Sequence, residues 1–253
     1  MSKLKVFIIF ICCNWAFVVH AADPSAQLAT ANQAYQANEF KRAIEQYENL
    51  LQQDYRSEVI YYNLGNSYYR TNDFGKAILN YERALLLAPN DADIQHNLEL
   101  TRSNLQDKIE PLPPFFLSNW WNELSSWLSP NVWSGVALVL LWSGMIGLSV
   151  WLLGKLRTYK KWGFIIGMSF LLLSVISFAL ANSRQQMIQN SGRAVILQTE
   201  IPLHTAPDTK SKVVLPLHAG TTIRFLDSIG DWHKVALDNG EQGWLPKGSF
   251  ERI

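Results

Sequence analysis

The stretch VWSGVALVLLWSGMIGLSVWLL (132–153), GKLRTYKK (154–161) and WGFIIGMSFLLLSVISFALANS (162–183) decides the architecture. Two uncharged runs of 22 residues flank a link that carries Lys155, Arg157, Lys160 and Lys161. No charged residue occurs between Glu123 and Lys155. As a helix, 22 residues extend about 33 Å at roughly 1.5 Å per residue, enough to cross the hydrocarbon core of a bilayer. A charge at mid-bilayer costs about 2.5–3.5 kcal/mol on insertion scales, so two charge-free runs of this length predict a transmembrane hairpin. The expected spans are 131–153 and 162–183. Cations concentrate on the cytoplasmic side of membrane proteins, which predicts a cytoplasmic link and places both flanking regions outside.

The start of the chain agrees with that orientation. Lys3 and Lys5 precede an apolar run from Val6 to Val19, and Val19-His20-Ala21 has the small-residue spacing of a cleavage site. Residues 1–21 therefore read as a signal peptide, with an uncleaved N-terminal anchor as the alternative. Cys12 and Cys13 are the only cysteines. Cleavage would leave a chain without disulfides, thiolate metal ligands or a cysteine nucleophile.

Residues 22–110 carry 8 Lys/Arg against 13 Asp/Glu, and residues 184–253 carry 8 against 7. No basic field of the kind that binds nucleic acid is present, so nucleic acid is excluded as a partner. Instead, residues 22–110 repeat with a period of 34: Asn38 and Asn72, Phe40 and Phe74, Ala43 and Ala77, Tyr47 and Tyr81. The second copy reads Tyr61-x2-Leu64-Gly65-x2-Tyr68, then Ala77, Tyr81, Ala84 and Pro89. Gly65, Ala77 and Ala84 let two helices approach, the tyrosines fill the space beside them, and Pro89 ends the second helix. This pattern resembles the tetratricopeptide repeat. The expected all-α solenoid has repeats at about 24–57 and 58–91 and a solvating end helix at 92–109, capped by Asp91 or Asp93. The resemblance implies that the first helices of the repeats offer a groove to partner peptides. Those positions are Asn32, Tyr35 and Gln36 in the first copy, and Tyr62, Asn66, Tyr69 and Arg70 in the second. The competing reading makes them solvated polar and aromatic residues.

Residues 111–130 join repeat to hairpin. Pro111, Pro113 and Pro114 are followed by Leu117, Trp120, Trp121, Leu124, Trp127 and Leu128 at helical spacing. Tryptophan favours the membrane interface, which predicts a helix lying along the outer surface, with a partner-binding aromatic face as the alternative. Within the spans, Gly163-x3-Gly167 and Ser143-x3-Gly147 have the spacing that permits close helix packing.

Residues 190–253 change to short alternating runs punctuated by Pro207, Gly220, Gly230, Asn239-Gly240 and Gly248. Five strands are expected, at 194–198, 213–217, 221–227, 232–237 and 242–245, with a tight hairpin at Asn239-Gly240. Leu203-x3-Pro207, Leu217-x2-Gly220, Gly230-Asp231-Trp232-x2-Val235, Gly240-x2-Gly243-Trp244-Leu245 and Phe250-x2-Ile253 resemble bacterial SH3 domains. An all-β SH3-like barrel is what the resemblance implies. Trp232 and Trp244 are either its ligand face or part of its packing.

No catalytic constellation, metal-ligand spacing among His20, His96, His204, His218 and His233, or phosphate loop is found, so neither enzyme activity nor a cofactor is expected. Asp231 and His233, two apart on a strand edge, are read as poor dyad partners. The full order of signal, repeats, hairpin and SH3-like module resembles the E-type members of the Bat (Bacteroides aerotolerance) family. That resemblance implies a non-catalytic scaffold in an envelope assembly with von Willebrand factor A-type proteins and a MoxR-type ATPase, linked to oxidative stress. A second reading is peptidoglycan binding through the C-terminal module. In either, the chain is a multi-pass inner-membrane protein with both end domains extracytoplasmic. A cysteine introduced at Thr158 should then escape a membrane-impermeant maleimide in intact cells with a permeable outer barrier, and one at Ser228 should react. The opposite labelling would reverse the orientation.

Overall fold

The computed structural model describes residues 24–113 and 115–253. The signal peptide expected over 1–21 lies outside the described residues. The chain forms two compact units that meet in sequence at Arg56 and Ser57.

The first unit contains α1 (Pro24–Gln36) and α2 (Phe40–Gln52). Ala31 and Ala34 on one helix are buried, as are Ala43, Tyr47 and Leu50 on the other. Small residues facing large ones let the helices close without voids. Asn38 turns the chain between them at φ 61°, a left-handed conformation that asparagine tolerates better than most residues.

The second unit opens with α3 (Glu58–Arg70), α4 (Phe74–Leu87) and α5 (Ala92–Ser103). Each start is capped: Ser57 accepts from the Ile60 N–H, Asp73 from Lys76, and Asp91 from Asp93 and Ile94. Asn72 repeats the left-handed turn at φ 62°. A Cβ on Gly65 would lie 2.7 Å from the Tyr81 ring, so glycine is what allows α3 and α4 to touch. The helix at 92–109 is shorter than expected, because α5 ends at Ser103. Residues 104–113 continue as a strap without helix, and the Leu112 N–H donates to the Asp238 carbonyl at 2.9 Å.

Next come α6 (Phe116–Ser126), α7 (Pro130–Leu153) and α8 (Arg157–Gln189). By length and composition α7 and α8 are both long and apolar enough to cross a membrane. The expected eight-residue link is only three residues long, since Arg157 already begins α8. The far end of α8 also runs beyond Ser183 to Gln189, so this helix of 33 residues is about 50 Å long. The two helices pack through glycines. A Cβ on Gly147 would lie 2.7 Å from the Gly167 Cα, and one on Gly163 would lie 2.8 Å from the Trp151 nitrogen. Gly144 completes this seam, whereas the half-buried Ser143, expected there, bonds the Val139 carbonyl on its own helix. Farther along, the buried Ser174 hydroxyl donates to the Ala137 carbonyl at 2.7 Å. Trp121 of α6 donates its indole N–H to the Ser183 hydroxyl at 3.0 Å, which holds α6 against the end of α8.

The C-terminal region is an antiparallel sheet of seven strands in the order β3-β2-β6-β5-β4-β1-β7. The strands are β1 (Arg193–Ile196), β2 (Glu200–His204), β3 (Val213–His218), β4 (Thr222–Ile229), β5 (Trp232–Leu237), β6 (Gln242–Pro246) and β7 (Phe250–Arg252). β2 and β7 add to the five strands expected. Pro202 hides β2 in the sequence, yet it is tolerated because β2 meets β6 only through His204 and Trp244. Ala194, Ile196, Ile201, Leu203, Leu217, Ile223, Val235, Leu237 and Leu245 form the core of this sheet. At the β5–β6 connection Gly240 alone takes a left-handed φ, of 88°, so the loop is wider than a two-residue turn.

Replacing Gly147 by leucine should lower the thermal midpoint of the detergent-solubilised chain by several degrees, because its new side chain meets the α8 backbone. Gly135→Leu, where a Cβ meets nothing within 4 Å, is the matched control and should be near neutral in the same melt.

Candidate partner-binding surface

The 34-residue period places asparagine and tyrosine at matching points of the two copies. In the first unit, the Tyr47 hydroxyl donates to Asn32 Oδ1 at 2.6 Å, and the rings of Tyr35 and Phe40 meet edge to face at 5.5 Å. In the second unit, Tyr81 donates to Asn66 Oδ1 at 2.7 Å, and Tyr69 packs on Phe74 at 5.7 Å. Each asparagine thus ties the first helix of its copy to the second. Part of the hydrogen-bonding capacity assigned to a ligand from sequence is used inside the repeat.

Gln36 and Arg70 are exposed at the C-terminal ends of α1 and α3, and Asn32, Tyr35, Tyr62, Asn66 and Tyr69 are half-buried. One residue that sequence reasoning left out joins them. Asn97 of α5 donates to the Tyr62 hydroxyl at 2.9 Å and to Asn66 Oδ1 at 3.0 Å. Its signal was the period itself, carried one step further: Ile60 and Ile94, Asn63 and Asn97, Leu64 and Leu98 are each 34 apart. Ile94 and Leu98 are buried, so α5 occupies the place of a third first helix. Within the second unit, Tyr62, Asn66 and Asn97 form one hydrogen-bonded polar strip, with Tyr69 and Arg70 farther along α3.

Residues 59–91 match the family model of the tetratricopeptide repeat. They are a tetratricopeptide repeat. No curated protein matches the chain. The repeat suggests protein–protein binding, with partners unspecified.

Trp232 and Trp244 occupy a different place. Alternation along β5 and β6 sends Val235, Leu237 and Leu245 to the core and leaves Trp232, Lys234 and Trp244 on the other face, half-buried. Trp244 lies opposite Lys234 and His204 in register, and the His204 ring meets Trp232 edge to face at 5.3 Å. Across β5, His233 sits 5.3 Å from both Phe225 and Phe250. Burial, then the charges of Arg252 and Lys247, push its pKa below the ordinary histidine value. Its buried Nδ1 has no hydrogen-bond partner, so the ring behaves as an aromatic packing group. Among the described residues no three of His, Cys, Asp and Glu are placed to hold a metal ion.

The second helix of the repeat is covered by the rest of its own unit. Glu82 of α4 is buried and accepts from Arg193 of β1 through both oxygens, at 2.8 and 3.1 Å, and also from Arg102 of α5. Arg83 donates to Glu251 at 2.8 Å and to the Arg252 carbonyl at 2.7 Å, both on β7. At the end of α4, Arg184 of α8 donates to the Leu86 carbonyl at 2.6 Å, filling a C-terminal acceptor that the helix cannot satisfy itself. The strap adds a fourth tie. Asp107 accepts from the His218 N–H at 2.7 Å, the His218 ring at 2.6 Å and the Thr221 hydroxyl at 2.6 Å. Burial alone would raise the Asp107 pKa, but the Thr221 and His218 hydrogen bonds outweigh it and hold it below the ordinary carboxylate value.

Two outcomes follow from these ties. Glu82→Ala leaves two arginines facing each other and should cost about 2 kcal/mol; the arginine side chains are 43% and 38% exposed, which keeps this below the cost of breaking a fully buried pair. Denaturant unfolding in detergent measures it. The depressed Asp107 pKa contributes stability that is present above the unfolded carboxylate value and fades as pH falls through the lower folded value. Asp107→Asn should therefore flatten the stability loss below about pH 4, and an unchanged acid limb would show that the carboxylate carries none of it.

Proposed function

We propose that the chain is a membrane-anchored, non-catalytic adaptor that binds a partner protein through the first-helix residues of its repeat. The observation that carries this reading is the tetratricopeptide repeat at 59–91, whose second helix is covered by α5, α8 and the sheet while the α3 side keeps Tyr62, Tyr69 and exposed Arg70 accessible. Within the second unit, the first-helix side is what remains open to a partner. The two membrane-capable helices supply the anchor. The cation-rich link supports a cytoplasmic turn, with the repeat and the sheet on the extracytoplasmic side of an inner membrane. The C-terminal motifs support an SH3-like barrel, and the order of parts supports a Bat-type envelope assembly with von Willebrand factor A-type and MoxR-type partners in oxidative-stress tolerance.

Arg70→Glu tests the adaptor directly. The melting midpoint of the variant, read alongside, separates loss of binding from loss of fold. The yield of cross-linked, co-purified partner should fall at least about fivefold, as expected for loss of one charged anchor. Undiminished recovery with Arg70→Glu would overturn the assignment of this face.

A second reading rests on Trp232, Lys234 and Trp244 sharing one face of the sheet, a platform suited to peptidoglycan. The sheet is tied to the repeat through Arg193, Arg83 and Asp107, so the full chain is the proper probe. It should pellet with purified sacculi, and Trp232→Ala with Trp244→Ala should abolish pelleting. A parent chain left wholly in the supernatant would sink this reading.

A further inference from the structure

We propose that the α7–α8 turn binds the headgroups of anionic phospholipids. The inference rests on the hairpin crossing a bilayer and goes beyond the adaptor role. Lys155, Arg157, Lys160 and Lys161 fall within seven residues, and all four are exposed. None has a carboxylate partner among the described residues, and the sequence holds no Asp or Glu between Glu123 and Glu200. The compensating anion must therefore come from outside the hairpin.

Arg157, Lys160 and Lys161 sit at the start of α8, where no acidic side chain offsets them and no side chain caps the helix. Cations at a helix N-terminus oppose its dipole, so the arrangement is unfavourable until an anion is present. Trp151, Tyr159 and Trp162 surround the turn and are exposed, at the level where aromatic rings meet headgroups in a spanning hairpin. Leu153 and Leu156, also exposed, give the same turn apolar contact with the membrane. Lipid phosphates would meet the cations while the rings and leucines stay in the interface, a combination that a free anion cannot match.

The test uses the full chain reconstituted in nanodiscs of equal phosphatidylcholine and phosphatidylglycerol, then extracted in mild detergent. Mass spectrometry reads the lipids that remain bound. Phosphatidylglycerol should be enriched about fivefold, and the enrichment should vanish with Lys155→Gln, Arg157→Gln, Lys160→Gln and Lys161→Gln together. Lys155→Arg, Lys160→Arg and Lys161→Arg together should preserve it. In the parent chain, about 0.5 M salt should remove it without any substitution. An equal lipid ratio in the parent, or enrichment that survives either the glutamines or the salt, would overturn the proposal. Displacement of the lipid by millimolar inorganic phosphate would overturn the lipid assignment in favour of a free-anion site. A chain released from vesicles by alkaline carbonate would overturn the hairpin reading, and this inference with it.

Discussion

The Glu82 carboxylate holds the second unit together. It projects from the second helix of the repeat and is buried, with Arg102 of α5 on one side and Arg193 of β1 forked across both oxygens. A buried carboxylate without partners is costly, so the packing of this region requires both arginines to arrive. One of them ends the repeat region and the other begins the sheet. They lie 91 residues apart in sequence, with the whole hairpin between them, and one side chain unites them.

Around that centre the remaining ties reinforce one another. Arg83 reaches the edge strand β7, Arg184 closes the end of α4 from the membrane-capable helix, and Asp107 fastens the strap to the turn before β4. The sheet is thereby a wall of the repeat instead of a domain hung on a linker. The α4 side is thus occupied by the chain itself, which leaves the side of α3 and α5 as the candidate surface. The hairpin, whose far helix continues through Arg184 to Gln189, fixes that side with respect to the membrane it would cross.

Elements governed by local periodicity were legible in the sequence. The repeat, the two long apolar helices and most strands follow from spacing, turn residues and charge-free length. The boundaries that moved did so for tertiary reasons. α8 extends because Arg184 finds an acceptor on α4, and α5 stops at Ser103 because the strap is drawn to His218 and Thr221. β2 was hidden by Pro202, whose missing N–H costs nothing where pairing to β6 is brief. At the candidate surface, Asn32 and Asn66 were visible as a pair in register, but their bonds to Tyr47 and Tyr81 join helices 15 residues apart and follow only from packing. Asn97 was available from the period and was obscured by treating α5 as an end helix. Glu82 carried no signal at all, since a glutamate in a helix ordinarily reads as solvated.

Repeat, hairpin and sheet belong to one compact unit, residues 57–253, and the ties at Glu82, Arg83, Arg184 and Asp107 should hold its parts at fixed distances. Pulsed electron paramagnetic resonance between spin labels at the exposed positions Asp93 on α5 and Ser228 on β4, in the full chain in nanodiscs, tests it most directly. One narrow distance distribution is expected, and it should broaden when Glu82 is replaced by alanine. A broad or two-peaked distribution in the unaltered protein would show the sheet swinging freely from the repeat and would contradict it.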